Sequence, residues 1–446
     1  TQFKVLCPPR NWGAQAFLSH ALTGVTVRPA RPPAWPPDPA PLPDPLPGDT
    51  VKFQLRNLTG GYRVRAFHCL PVVVGVAAAS MIAGTPMAAP VAGAQARAVS
   101  LTGNGTALGD GTAFLMGGTG IPQPPPTYLD AVDELFLQPH GFTGDLVSLW
   151  TPENVSSTSR SVGEQILYNA IMQKIEDGGV DAGHPVVVFG YSQSSSISTN
   201  VMERLADADV SNDLVRFVLI GSPNPSGIPT DLYHTDVYNY EYDPVAFKPT
   251  YFNPLADLNS MLGFVYAHSA ILSVTPEQIA SAVELPTSDP DSLTTYYMMA
   301  SESLPLLNPL RLIPVFGQPL YELLEPVTRI LVNLGYGNID HGWPPGDADV
   351  PAASGLFPTN IDWGDLATAL GNGVQQGINN AIASLLDPAT YQISSLVDNP
   401  SLAGIIHEGY IAGYLDSPNP TLEEAFAGLS NFLAAFTSTE EFPMPG

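Results

Sequence analysis

Residues 186–205 change their hydrophobic period once, and abruptly. Val186 to Phe189 is an unbroken apolar run, and it stops in Gly190-Tyr191-Ser192-Gln193-Ser194. A short β-branched run without polar alternation predicts a strand buried on both faces, as in a parallel sheet. Residues 195–205 then predict a helix. Four more runs predict strands at 113–116, 146–150, 215–220 and 236–242, the last two ended by Gly221-Ser222-Pro223 and Asp243-Pro244. Between the second and third strands, Val162, Ile166, Ala170, Ile171 and Ile175 recur at helical spacing. They predict a helix over 159–177, with Ser159 or Ser161 as cap and Gly178-Gly179 as stop. That alternation predicts an α/β fold: a central, mostly parallel sheet flanked by helices.

From about residue 275 the alternation fades. The pattern predicts helices at 275–285, 291–304 and 319–335, with prolines between them. Beyond Pro344-Pro345-Gly346 it predicts three more, at 365–386, 402–415 and 422–436. A boundary near residue 345 would separate a helical C-terminal extension, 346–446, from the alternating part.

Residues 1–66 differ from the rest. They carry eight Lys/Arg against three Asp/Glu, and the stretch 28–47 is dense in proline. Such a tract forms no hydrogen-bonded structure of its own and is expected to be extended or disordered. A translation start placed too far upstream and a functional tail both produce this pattern. Arg63 and Arg65 then precede an apolar run over 70–82, followed by the small residues from Met87 to Ala98. Basic, apolar, then Ala-x-Ala reads as a secretory signal peptide over 67–98, cleaved after Ala94, Ala96 or Ala98. The run is short of the roughly 20 residues that span a bilayer. Export to the cell envelope or the medium is the expectation.

Of the net charge of -26, residues 1–66 contribute +5 and the chain after residue 66 contributes -31. An acidic body of that size argues against nucleic acid or an anionic membrane surface as an electrostatic partner. Cys7 and Cys69, the only cysteines, precede the expected cleavage zone. The mature chain would have no thiol for catalysis, disulfides or metal binding. No glycine-rich phosphate loop or His-Glu-x-x-His motif occurs, so no metal or organic cofactor is expected.

A serine in a tight turn between a buried strand and a helix presents its hydroxyl at the carboxyl edge of the sheet. Strand and helix backbones nearly touch there, so the flanking residues must be small; Gly190 fits and Ser194 can stand in for glycine. Ser192 is therefore the candidate nucleophile. It needs a histidine to take its proton and an acid to orient that histidine, in the chain order Ser, acid, His. Asp243, at the end of the next strand but one, is the candidate acid, with Glu241 and Asp257 as lesser alternatives. His268 comes soonest after the acid; His341 and His407 follow. Negative charge developing on the substrate needs backbone N–H donors. Gln193 would supply one, and the loop Gly117-Gly118-Thr119-Gly120 the other, through Gly118 and Thr119.

Together these segments resemble the PE-PPE domain family of mycobacterial envelope proteins, which are similar to cutinases within the α/β-hydrolase fold. The resemblance rests on residues 115–120, Gly190-Tyr191-Ser192-Gln193-Ser194, residues 240–246, 253–259 and 262–268, and Val332-Asn333-Leu334-Gly335-Tyr336-Gly337. It covers roughly 110–340 and implies a cutinase-like hydrolase domain over 99–345. By that likeness Ser192 is the nucleophile, Asp243 the acid and His268 the base. The chain departs from the family at Ser194, and at Phe247, where members often carry a second Asp. The pattern ahead of the domain reads as a signal peptide, and no helical PE or PPE leader is expected there. Members with a signal peptide look like cutinase-like proteins that move fatty acyl chains between trehalose glycolipids. The resemblance implies a lipid or glycolipid acyl ester as substrate, with peripheral association at an envelope membrane compatible with it. Two chemistries share one site, hydrolysis and acyl transfer; a lipid-binding surface protein without catalysis is the third reading.

Overall fold

The computed structural model describes residues 107–392 and 394–445. The proline-rich segment, the expected signal peptide and both cysteines lie outside the described residues. Seven strands form one sheet: β1 (Thr112–Leu115), β2 (Asp145–Ser148), β3 (Val186–Tyr191), β4 (Val215–Ile220), β5 (Thr235–Tyr240), β6 (Val283–Leu285) and β7 (Thr294–Met299). Their order is β2-β1-β3-β4-β5-β7-β6. All neighbours are parallel except β6 and β7, which are antiparallel. This is an α/β-hydrolase-like sheet, and its third strand, β3 between β1 and β4, is the one that runs into Ser192.

The continuous apolar run of β3 is explained by its two faces. Val187, Phe189 and Tyr191 point into one core, where Tyr128, Phe136 and Ile271 cover them. Val186 and Val188 point into the other, against Leu167 and Ile171 of α2 (Ser159–Glu176) and Ile197, Val201 and Leu205 of α3 (Gln193–Asp207). Alternate residues of a strand face opposite sides, so a central strand with both faces covered shows no polar period. The first face is closed by α1 (Pro126–Val132) and by the 3₁₀ turn His268–Ser273, which follows α4 (Pro254–Tyr266). Tyr242, Ala256, Leu304, Val332 and Tyr336 form a smaller core beside the turn after β5.

Two expected helices are corrected. Residues 291–304 hold no helix: Thr-Thr-Tyr-Tyr-Met-Met is β7, buried along nearly its whole length beside β5. Its β-branched and aromatic side chains fit a sheet, and the neighbouring strand overrides the helical spacing. Residues 275–285 form only one short helix, α5 (Pro276–Ala280), before the chain turns into β6 as a short edge strand carrying Glu284. A short edge with a charge resists pairing with other chains.

The rest is helical: α6 (Gly317–Asn333), α7 (Trp363–Leu386), α8 (Ala403–Ile411) and α9 (Leu422–Phe436). Helix α7 buries Leu366, Gly373, Gly377 and Ala381 along one seam. A Cβ at Gly377 would collide with the carbonyl oxygen of Leu323 on α6, so the glycine sets how closely the two helices approach. No helix among the described residues is long and apolar enough to cross a membrane.

Candidate active site

Ser192 stands between β3 and α3 with φ 57° and ψ -107°. A non-glycine residue in that region stores about 1–3 kcal/mol of backbone strain, which the surrounding contacts must hold. Those contacts are visible. A Cβ on Gly190 would come within 2.9 Å of the Ser194 carbonyl oxygen. Ser194 replaces the expected second glycine because its hydroxyl turns back on the chain: Oγ accepts from the Tyr191 N–H at 2.8 Å and donates to the Tyr191 carbonyl at 3.1 Å.

Three of the sequence-derived residues meet in one line. His268 Nε2 lies 2.8 Å from Ser192 Oγ, and His268 Nδ1 lies 2.8 Å from Asp243 Oδ2. A carboxylate only accepts, so the proton of the imidazole belongs on Nδ1, which leaves Nε2 free to accept from the serine hydroxyl. Asp243 is fixed by its other oxygen, which accepts from the Val245 N–H at 2.8 Å. It follows Tyr242, whose φ of 67° turns the chain sharply after β5. His268 is buried, its carbonyl accepts from the Tyr191 hydroxyl at 2.7 Å, and its ring lies against Phe264. Gly221, at the end of β4, has φ +51°, and a Cβ there would sit 3.1 Å from the imidazole. Ser192 itself keeps partial exposure, so a substrate can reach it.

The alternatives lie elsewhere. His341 stacks on Trp343 at 3.9 Å between ring centres, and burial lowers its pKa. Glu241 accepts from the Ser301 and Gly342 N–H groups and faces Arg329. Asp257 is exposed in the first turn of α4, and His407 is exposed on α8.

The loop Gly117–Gly120 abuts the serine: a Cβ on Gly118 would be 3.4 Å from the Ser192 Cβ and 2.9 Å from the Tyr191 ring. Gln193 begins α3, where its N–H has no intrahelical acceptor. Its side chain is held at three points. Nε2 donates to Thr119 Oγ1 at 3.1 Å and to the Asn154 carbonyl at 3.0 Å, while Oε1 accepts from Ser159 Oγ at 2.6 Å. Thr119 accepts through its oxygen, so its own hydroxyl proton is available to a ligand.

Sequence reading missed Asn154 and took Ser159 only as a helix cap; the only signal is the position of Asn154 just beyond the carboxyl end of β2. It also missed the C-terminal contributors, for which no local signal exists. Glu408 of α8 accepts from the Leu272 N–H at 2.9 Å, inside the turn that carries His268. Ser273 Oγ donates to the Gly404 carbonyl at 2.7 Å, and the Tyr414 hydroxyl donates to the Gly120 carbonyl. Burial raises the carboxyls of Glu153 and Glu408 to about 8. Among the described residues no cluster of three or more His, Cys, Asp or Glu is placed to hold a metal ion.

Comparison with known proteins finds a domain match and several similar proteins. Residues 142–337 match the PE-PPE domain. The chain is 36% identical over 326 residues to a protein named Esterase PE16 of Mycobacterium tuberculosis, covering 64% of this chain and 59% of that one. It is 36% identical over 341 residues to an uncharacterized PPE family protein, PPE28, of the same organism, covering 68% of this chain and 51% of the relative. PE family protein PE3, also of that organism, is 35% identical over 311 residues, covering 61% and 64%. The chain thus spans between half and two thirds of the length of these relatives. With that match and these relatives, the chain carries a PE-PPE domain on an α/β-hydrolase-like sheet.

Proposed function

We propose that this protein is a serine esterase acting on acyl esters of envelope lipids. The observation that carries the reading is the hydrogen-bonded line from Ser192 through His268 to Asp243 at the carboxyl edge of the sheet. Similarity to a protein named as an esterase supports it. In the reaction His268 Nε2 takes the hydroxyl proton as Ser192 Oγ bonds to the ester carbonyl carbon. Asp243 stabilises the imidazolium that results. Charge on the carbonyl oxygen is met by the Gln193 N–H and by the loop at Gly118 and Thr119, which Gln193 itself holds in place. The imidazolium then protonates the departing alcohol, leaving the acyl group on Ser192. A second hydroxyl attacks that ester, gives its proton to His268 and carries the acyl group away, as His268 returns the proton to Ser192 Oγ. Water as the second attacker makes the protein a hydrolase; a sugar hydroxyl of a trehalose glycolipid makes it an acyltransferase with the same residues.

Hydrolysis of p-nitrophenyl esters by the purified chain tests the reading, with Ser192→Ala as the inactive control. Added trehalose separates the two acceptors: an acyl sugar among the products supports transfer, and free fatty acid alone supports hydrolysis. A chain that binds lipid and cleaves no ester would instead be a binding protein. Residues 63–98 support export, and the N-terminal sequence of protein recovered from the medium tests that.

A further inference from the structure

A row of aromatic rings runs from the glycine loop to the imidazole beside Ser192. Ring centres lie 5.3 Å apart for Tyr414 and Phe432, 5.6 Å for Phe432 and Phe436, 5.9 Å for Phe436 and Phe264, and 5.3 Å for Phe264 and His268. The row starts at the glycine loop. Gly120, with φ +95°, lets Phe432 approach within 3.2 Å of where a Cβ would stand, and the Phe436 Cα within 3.5 Å. It ends on the imidazole that contacts Ser192 Oγ. Phe264, Phe432 and Phe436 are only half-buried, so each keeps surface for a ligand.

The strap that carries two of these rings is pinned beyond α9. The Val155 N–H donates to the Ser438 carbonyl at 3.0 Å, and Asn154 Nδ2 donates to the Glu440 carbonyl at 2.9 Å. Trp150 and Phe442 pack edge to face at 5.3 Å. Asn154 is also the residue whose carbonyl holds Gln193. The rings are therefore positioned by the same loop as the candidate oxyanion donors, although α9 lies outside the part of the chain that matches the PE-PPE domain.

We propose that Phe432 and Phe436, with Phe264, form the wall that binds the fatty acyl chain, and that this wall sets the preference for chain length. The proposal rests on the esterase reading. An acyl chain fits better than a sugar because the row offers no spare polar group: the Tyr414 hydroxyl is engaged by Gly120, and positions 432, 433, 435 and 436 are Phe, Leu, Ala and Phe. A sugar buried there would leave its hydroxyls unpaired.

The test is kcat/KM for p-nitrophenyl butyrate and laurate in wild type, Phe432→Ala, Phe436→Ala and Leu429→Ala. Each methylene held against an apolar wall is worth roughly fourfold, so losing one ring should cut the laurate-to-butyrate ratio by about tenfold. Leu429, exposed on the same helix, should leave the ratio unchanged. Phe436→Trp gives a readout that does not depend on truncating a ring. Its emission, taken as the difference from wild type, should shift to the blue when a dodecyl phosphonate, but not a methyl phosphonate, occupies Ser192. An active wild type whose ratio is unchanged in both alanine variants, with no such shift, overturns the wall alone. Equal gains on both esters would make the strap a cover and overturn it too. A wild type that turns over neither ester and takes no phosphonate removes the esterase reading and the proposal with it.

Discussion

Replacing Glu408 by glutamine measures what holds the C-terminal helices against the histidine turn. Glu408 is 7% exposed; Oε2 accepts from the Leu272 N–H, and Oε1 has no partner among the described residues. Burial lifts its carboxyl from 4.5 to about 8 against the opposing pull of that N–H. The folded protein therefore keeps a proton that the unfolded chain releases at its ordinary pKa. The stability this gives is full below that ordinary value and declines as pH rises, until the folded group itself ionises near 8. Within the window the slope is about 1.4 kcal/mol per pH unit, so from about pH 5 to about pH 8 the group costs the fold on the order of 4 kcal/mol. Glutamine retains an oxygen for the Leu272 N–H and does not titrate. Urea unfolding of wild type and Glu408→Gln at both pH values gives the difference directly. Glu153, also raised to about 8, titrates in both proteins and cancels. The variant should gain about 4 kcal/mol on wild type between the two conditions. Parallel stability curves would refute the burial argument.

Two further outcomes follow from the site. Asp243→Asn should lower kcat by roughly 10³–10⁴ with little change in KM, because the amide favours the wrong imidazole tautomer; a loss under tenfold would point to another acid, with Glu241 first to be examined. Gly118→Ala places a methyl group 2.9 Å from the Tyr191 ring and must push the loop off Ser192. The expected result is a fall in kcat of about 10² with a stability change of only about 1–3 kcal/mol, read by ester kinetics beside a melting curve.

The middle of the fold was legible because its physics is local. An unbroken apolar run ending in Gly190 to Ser194 declares a central strand and a sharp turn within nine residues, and the strand ends that carry Asp243 and the 117–120 loop follow the same rule. The failures are where tertiary context decides. Residues 294–299 have β-branched and aromatic side chains that fit a sheet, but with no polar alternation the segment declares itself as a strand only where β5 offers a partner. Residues 283–285 become an edge strand only because β7 runs beside them. Glu408, Tyr414, Phe432 and Phe436 reach the site from more than 130 positions beyond the turn or loop they touch, and nothing in their own neighbourhood marks them. Asn154 and Ser159 act through Gln193, a contact that needs the loop after β2 to fold back over α3.

The central claim is that Ser192 is an activated nucleophile. Intact-mass analysis of the folded protein after exposure to an alkyl p-nitrophenyl phosphonate tests it most directly, with Ser192→Ala alongside. The account requires one adduct per chain on wild type, mapped to Ser192, and none on the variant. Unmodified wild type, under conditions where detergent keeps the cleft accessible, would contradict it.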